Sequence, residues 1–142
     1  MREHKFYDGR DDELDSYFLD EDKLLDHLEA IFKDHEDKGI ICDYHACELF
    51  PERWFDLVLV LRTGTKVLFD RLTKRGYSDV KRDQNMECEI MQVVLDEARE
   101  NYAPEIVHEV TSDTIEDMNA NVERVQAWIQ QWMLDQDKRK KM

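Results

Sequence analysis

The chain has 142 residues, and its 34 acidic and 20 basic side chains give a formal net charge of −14 at pH 7. A hydrophobic content of 42% is enough for one domain with a core, whereas the acidic balance disfavours direct binding to nucleic acid phosphates. No apolar run approaches the ~20 residues of a membrane span, and no signal-peptide core begins the chain, so we expect a soluble intracellular protein. The negative charge either attracts basic partners or serves solubility alone.

The first half of the chain predicts one helix followed by two strands. Residues 1–19 are acidic and aromatic without a long periodic pattern, and Asp20 is a candidate N-cap for the helix that follows. That helix extends toward Gly39, a stop signal. The short apolar runs 39–43 and 57–62 do not alternate, which is typical of strands buried on both faces of a parallel sheet.

The second half predicts helices around one further strand. Apolar spacing indicates a short helix over Thr65 to Lys74. The charged residues 75–84 suggest a mobile exposed loop. A helix over 85–102, a short strand over 106–110 and a last helix over about 116–135 complete the chain. Strands that alternate with helices predict an α/β fold, with three convincing strands.

Three polar residues are candidates for chemistry at the ends of these elements. Asp43 follows the first strand, where a phosphoryl-transfer enzyme places an acid to hold magnesium directly or through water, and His45 lies two residues on. From spacing alone, the simpler interpretation, a turn aspartate and a hydrogen-bonded histidine, is favoured. Arg75 stands beside Gly76 at the start of the charged loop, and either closes over a phosphate or is simply solvated.

Two familiar kinds of site do not match the sequence. A Walker A loop needs G-x-x-x-x-G-K-[ST], but the four glycines have neither the spacing nor a following lysine. A metal site from Cys42, His45 and Cys47 matches no familiar zinc spacing. The three cysteines contain no C-x-x-C and are expected to be reduced thiols.

Residues 43–55 carry a specific motif, D-Y-H-A-C-E-L-F-P-E-R-W-F. This run closely resembles the D-Y-H-x-C-x-x-F-P-E-R-W-F segment of the adenylate kinase isoenzyme 6 family of nuclear ATPases. The likeness continues through R-G-Y at 75–77 and C-E-I at 88–90, and through the tryptophan pair of the last helix. It covers almost the whole chain.

The resemblance implies a P-loop nucleoside-monophosphate-kinase fold with adenylate kinase and ATPase activities that use ATP, AMP and Mg²⁺. It implies a role in small ribosomal subunit maturation, a basic small-subunit ribosomal protein as partner, and a location in nucleus and cytoplasm. Contact with nucleic acid would be indirect, through the pre-ribosome.

The same resemblance assigns residues to roles. Asp43 and His45 match the catalytic Walker B-like pair, with Asp43 holding Mg²⁺ through water. Residues 74–84 match the lid, with Arg75 contacting ATP. Residues 1–19 match the end of the monophosphate-binding segment, and Arg2 its nucleotide-binding arginine. Thr114 stands where relatives carry a lysine near the adenine, which weakens that contact.

One departure shapes the expected fold. Relatives begin with a strand, a Walker A loop and a helix, whereas here Met1 falls just before Arg2. We therefore expect a single domain over 1–142 whose parallel sheet lacks its first, central strand and P-loop helix. Either strands 39–43 and 57–62 then pair directly, or a partner fills the position, or the chain is incomplete.

Three functional hypotheses follow. The first is an adenylate kinase and ATPase that transfers the γ-phosphate of ATP to AMP, with this chain inactive alone. The second is a non-catalytic acidic module that binds a basic ribosomal protein. The third is a fragment without a stable fold.

Overall fold

Two separate two-stranded sheets and five α-helices make up residues 7–12 and 16–142, the part of the chain that the computed structural model describes. The elements, in chain order, are β1 (Tyr7–Asp11), β2 (Ser16–Leu19), α1 (Glu21–Asp34), β3 (Val58–Arg62), α2 (Thr65–Lys74), α3 (Asp79–Ile90), α4 (Val93–Asn101), β4 (Val107–Thr111) and α5 (Ile115–Lys140). A single 3₁₀ turn, Glu52–Trp54, lies between α1 and β3.

The second sheet is parallel, as the sequence predicts. β3 pairs with β4 in a register that runs from Val58 opposite Val107 to Arg62 opposite Thr111. Parallel strands need a long crossover connection, and here α2, α3 and α4 provide it. The α/β class with a parallel sheet is therefore confirmed. β1 and β2 form an antiparallel hairpin. This hairpin was not predicted, because residues 1–19 show no long periodic pattern.

The predicted strand over residues 39–43 is wrong. In the structure, residues 39–44 contain no strand, and β3 pairs with β4 rather than with this segment. Ile41 is 90% exposed and Ile40 is 43% exposed, although both belong to an apolar run. A buried strand needs a ladder partner and cover on both faces, and in the described part of the chain this run has no ladder partner.

The helix ends follow from local signals that the sequence shows. The Asp20 carboxylate accepts a hydrogen bond from the Lys23 N–H at 3.3 Å, which confirms it as the N-cap of α1. The bounds of α2 match those expected. α5 begins with a capping box in which Thr114 Oγ1 accepts from the Asp117 N–H at 3.0 Å. This helix continues to Lys140, beyond the expected end near 135.

The expected loop over 75–84 and the single helix over 85–102 are both corrected by the structure. The loop is short, because Ser78 caps a helix that begins at Asp79. The helical region then divides into α3 and α4, with Gln92 between them in the left-handed conformation at φ 57°. The sequence did not predict this break, because apolar periodicity depends on which face of a helix is buried and not on the backbone angles of one residue.

The core lies between β3 and α4. Its buried cluster consists of Val60, Leu95, Ala98 and Tyr102. α5 contributes no buried residue, and its apolar side chains Met118, Val122 and Ile129 are exposed. Within the described ranges, no helix combines the length and the apolarity that a membrane crossing requires.

Candidate nucleotide site

Asp43 and His45 lie on the irregular segment between α1 and β3, and both side chains are exposed. Tyr44, between them, is half-buried. The centroids of the Tyr44 and His45 rings are 4.3 Å apart, with 40° between the ring planes. Alternating exposure therefore directs the acid and the imidazole to solvent and the tyrosine inward.

An aromatic cluster supports the inward side of this segment. Phe50 is buried, and its ring centroid lies 5.2 Å from that of Tyr44 and 5.9 Å from that of Phe55. Trp54 stacks 6.1 Å from Phe50 and meets Phe32 of α1 edge-on at 4.7 Å. The F-P-E-R-W-F part of the motif thus packs the loop against α1.

Two hydrogen bonds connect the same segment to α4 and its C-cap. Tyr102 Oη donates to the Phe50 carbonyl oxygen at 3.2 Å. The Cys47 N–H donates to Glu97 Oε2 at 3.3 Å. The loop that carries Asp43 and His45 is therefore held by the element that also forms the core.

The electrostatics around these contacts favour neutral side chains. Burial, with smaller contributions from the Cys47 and Cys42 thiols, raises the pKa of Tyr102 to about 12. Burial also raises the pKa of the Cys42 and Cys47 thiols, helped by Asp43 and Glu97 respectively. Burial and then Glu21 raise the pKa of Tyr44.

Asp43 is the candidate metal ligand of this segment. Among the described residues, no group of three or more His, Cys, Asp or Glu side chains is arranged to hold a metal ion. The Asp43 carboxylate is exposed. A single exposed carboxylate fits Mg²⁺, which keeps several waters and binds through one or two carboxylates and substrate phosphates.

Arg75 lies on a different element from the acid and the histidine. It is the C-cap of α2, before Gly76, whose φ of +76° lets the chain turn toward α3. In the described ranges no carboxylate lies within 4.0 Å of its guanidinium, and no hydrogen bond or ion pair joins it to Asp43 or His45. Arg2 lies outside the described residues, and Thr114 is the N-cap of α5.

Two further cations of the predicted lid, Lys81 and Arg82, are engaged locally. The Arg82 guanidinium stacks over Phe69 at 4.5 Å and pairs with Asp79 at 3.3 Å. Lys81 Nζ lies 4.4 Å from the centroid of Tyr77. The Arg82–Phe69 contact holds α3 against α2.

Sequence reasoning missed a polar network at the carboxyl end of the parallel sheet. Gly64 N–H donates to Asp113 Oδ1 at 2.7 Å, so the turn after β3 is tied to the turn after β4. Arg71 of α2 donates to the carbonyl oxygens of Ser112 and Asp113 at 2.7 and 2.8 Å. The partners lie 41 to 49 residues apart, and such pairs leave no periodic signal in a sequence.

A shallow depression of about 540 Å³ lies beside the aromatic cluster. Its lining residues are Glu52, Arg53, Phe55, Ala103 and Ile106. Neither the exposed acid and histidine nor Arg75 lines it.

Comparison with known proteins identifies the family. A family model described as an AAA domain matches residues 1–92. The adenylate kinase isoenzyme 6 homolog of Dictyostelium discoideum is 50% identical over 132 residues, 93% of this chain and 74% of that protein. The homolog of Caenorhabditis elegans is 50% identical over 125 residues, 88% of this chain and 68% of that protein. The chain belongs to the adenylate kinase isoenzyme 6 family.

Membership of the adenylate kinase isoenzyme 6 family extends to distant relatives. The homolog of Saccharomyces cerevisiae is 44% identical over 132 residues, 93% of this chain and 66% of that protein. The resemblance carried by the D-Y-H motif is thereby confirmed, as is a nucleotide-kinase-like α/β fold. The roles of Asp43, His45, Arg75 and Arg2, and the bounds of the lid and of the monophosphate-binding segment, stay predictions.

Proposed function

We propose that this protein serves magnesium-dependent transfer of the γ-phosphate of ATP to AMP, together with ATP hydrolysis. The observation that carries the proposal is the arrangement of the D-x-H segment. Its acid and imidazole face solvent, while the residues between and after them are packed and hydrogen-bonded to the core. Because such a segment is already ordered, its two polar groups would bind a ligand with little further loss of conformational entropy.

Each group has a chemical task in this reaction. The Asp43 carboxylate would hold Mg²⁺ through water, and the ion, when bound, would offset the negative charge of the phosphates. The His45 imidazole would orient a water or polarise a phosphate oxygen by donating a hydrogen bond. The Arg75 guanidinium, at the start of the lid, would stabilise charge that develops on the transferred phosphate.

The 142 residues lack one component of this machinery. The sequence contains no G-x-x-x-x-G-K-[ST], so it supplies neither the backbone cradle nor the lysine that grips the β- and γ-phosphates. We therefore expect only trace phosphoryl transfer from the chain alone. The measurement is ADP formed from ATP and AMP with Mg²⁺, with the complete D. discoideum homolog as positive control. Robust ADP formation by the chain itself would contradict this expectation.

A chimera tests the roles of the residues. The Walker A segment with which, by the resemblance, relatives begin is joined ahead of Met1, and ADP formation is measured. Asp43→Asn is expected to lower kcat about 100-fold, and His45→Gln 10-fold or more. Glu100→Gln, an exposed change on α4, is expected to leave the rate unchanged. A chimera as active with Asp43→Asn as without it would overturn the assignment.

A second candidate function rests on charge. The net charge is −14, and α1 exposes acidic side chains that include Asp22 and Asp26. Such a surface supports binding to a basic small-subunit ribosomal protein, as a non-catalytic module or alongside catalysis. A role in subunit maturation, in nucleus and cytoplasm, belongs to this proposal.

Titration with a basic ribosomal protein at rising salt tests the second candidate. Paired Asp22→Lys and Asp26→Lys changes are expected to weaken binding. The same charge change at Glu116 and Glu123, exposed on α5, serves as control. Equal weakening by both pairs would show that net charge alone acts, and no binding at low salt would reject the candidate.

A further inference from the structure

The region around α4 supplies both hydrogen bonds that hold the Asp43–His45 segment. Glu97 accepts from the Cys47 N–H at 3.3 Å, and Tyr102, at the C-cap, donates to the Phe50 carbonyl at 3.2 Å. Ala98, between them on the helix, is completely buried. The two contacts therefore start from a helix whose own position is fixed by the core.

The two contacts reach the reactive side chains by short routes. Cys47 is two residues beyond His45, so the Glu97 carboxylate fixes the backbone directly after the imidazole. Phe50 holds the Tyr44 ring at 5.2 Å, and Tyr44 holds the His45 ring at 4.3 Å. Loss of either hydrogen bond would loosen the loop without touching the exposed faces of the acid and the imidazole.

We propose that Glu97 and Tyr102 are positioning residues for the Asp43–His45 pair. They act through the loop backbone and the Tyr44 ring, and neither contacts a nucleotide. The proposal rests on the proposed phosphoryl transfer for its catalytic meaning, because only a reaction at Asp43 and His45 would need this preorganisation.

The test is the NMR signal of the His45 imidazole in the chain without nucleotide. The sequence has five histidines, and the His45 signal is identified by its loss in His45→Gln. The Tyr44 ring, 4.3 Å away, displaces this signal by its ring current. Glu97→Met and Tyr102→Phe are expected to shift the signal toward that of an unstructured histidine, since each variant removes one hydrogen bond and keeps side-chain size.

Matched variants separate positioning from general destabilisation. Glu97→Gln keeps an acceptor oxygen and is expected to retain the wild-type signal. Glu100→Met makes the same change as Glu97→Met at an exposed position of α4 and is expected to have no effect. Far-UV circular dichroism verifies that each variant is folded. If Glu97→Met and Tyr102→Phe both keep the wild-type His45 signal, the proposal is overturned.

The catalytic consequence is measured in the chimera. Glu97→Met and Tyr102→Phe are expected to lower kcat about 10- to 100-fold, with KM for AMP nearly unchanged. A His45 signal that moves in a chimera that forms no ADP supports the positioning and refutes the proposed function instead. The two failures are therefore distinguishable.

Discussion

Arg62 Nε donates a hydrogen bond to Glu89 Oε1 over 2.6 Å, which joins the last residue of β3 to the last turn of α3. The same carboxylate oxygen accepts from the Thr63 N–H at 3.2 Å, and Arg62 Nη2 donates to the Glu89 carbonyl at 3.2 Å. Both side chains are about one-fifth exposed. The end of α3 is thereby fixed to the sheet.

This pair predicts a stability difference within α3. Glu89→Met is expected to lower the free energy of unfolding by about 1–3 kcal/mol, because it removes the carboxylate nearest to a mostly buried guanidinium and leaves it only the Glu89 carbonyl and the longer contact with Glu109 at 3.4 Å. Glu87→Met makes the same change at an exposed position two residues earlier and should stay within about 0.5 kcal/mol of the parent. Urea denaturation measures both. Equal losses in the two variants would mean that the ion pair adds nothing beyond helix propensity.

The fold could be predicted where local chemistry decides it. The bounds of α2, the Asp20 cap and the parallel character of the sheet follow from apolar spacing, a capping side chain and the α/β order, whereas the pairing of β3 with β4 was not predicted. The strand expected over 39–43 could not form without a ladder partner, which no local pattern supplies. In the structure the run forms no regular element, and Ile40 and Ile41 are exposed.

The candidate site, like the fold, could be predicted from local features but not from long-range contacts. The sequence identified Asp43 and His45, since an acid and a histidine after an apolar run are local features. It missed the contacts of Glu97 and Tyr102, which are 50 and 52 residues from their partners. Lys81 and Arg82 were also predicted to lie in a loop, because helix propensity is a weak signal in a charged segment. In the structure both belong to α3, whose N-cap is Ser78.

The backbone conformation of Gly76, at the start of the predicted lid, leads us to expect that a side chain at this position destabilises the protein. Its φ is +76°, and no heavy atom lies within 4 Å of an added Cβ. Gly76→Ala is therefore expected to cost about 1–2 kcal/mol through backbone conformation alone. Gly39→Ala has equally open space without a positive φ, and is expected to be neutral or to stabilise by up to about 1 kcal/mol. Thermal melts that rank the two variants in the opposite order would contradict this reasoning.

Because Leu95 is buried, we expect its truncation to leave a cavity that destabilises the core. Its side chain is 1% exposed and packs with Val60, Ala98 and Tyr102. Leu95→Ala is expected to destabilise the chain by about 2–5 kcal/mol. Leu134→Ala removes the same atoms from an exposed position of α5 and should change stability by less than about 0.5 kcal/mol. A non-cooperative melt of the parent chain would itself support the hypothesis of a fragment without a stable fold.

The cysteines predict an order of thiol reactivity. Burial raises the pKa of Cys42 and Cys47, which lowers their thiolate fraction at pH 8, whereas Cys88 is exposed on α3. An aromatic disulfide reagent is therefore expected to modify one thiol quickly and two slowly. Cys88→Ser should remove the fast phase. A fast phase that persists in Cys88→Ser would show that the loop around Asp43 opens readily.

Tyr102 predicts an alkaline loss of stability. Burial raises its pKa to about 12, above the ordinary tyrosine value near 10, and the residue is 4% exposed. Below pH 10 both folded and unfolded chains keep the phenolic proton, so the contribution of Tyr102 is constant. Between pH 10 and 12 the unfolded chain loses the proton first, so stability falls as pH rises. The expected loss at pH 11 is roughly 1 kcal/mol.

Tyr102→Phe isolates this effect from the other titrating groups. At pH 7 the variant is expected to be about 1 kcal/mol less stable than the parent, because the Phe50 carbonyl loses its hydrogen bond. Phenylalanine does not titrate, whereas Tyr44, Cys42 and Cys47, each with a raised pKa, titrate in both proteins. The difference between the two unfolding free energies should therefore shrink toward zero by pH 11. Denaturant titrations from pH 7 to 11 measure it, and a constant difference would show that the Tyr102 hydroxyl is not held in its buried hydrogen bond.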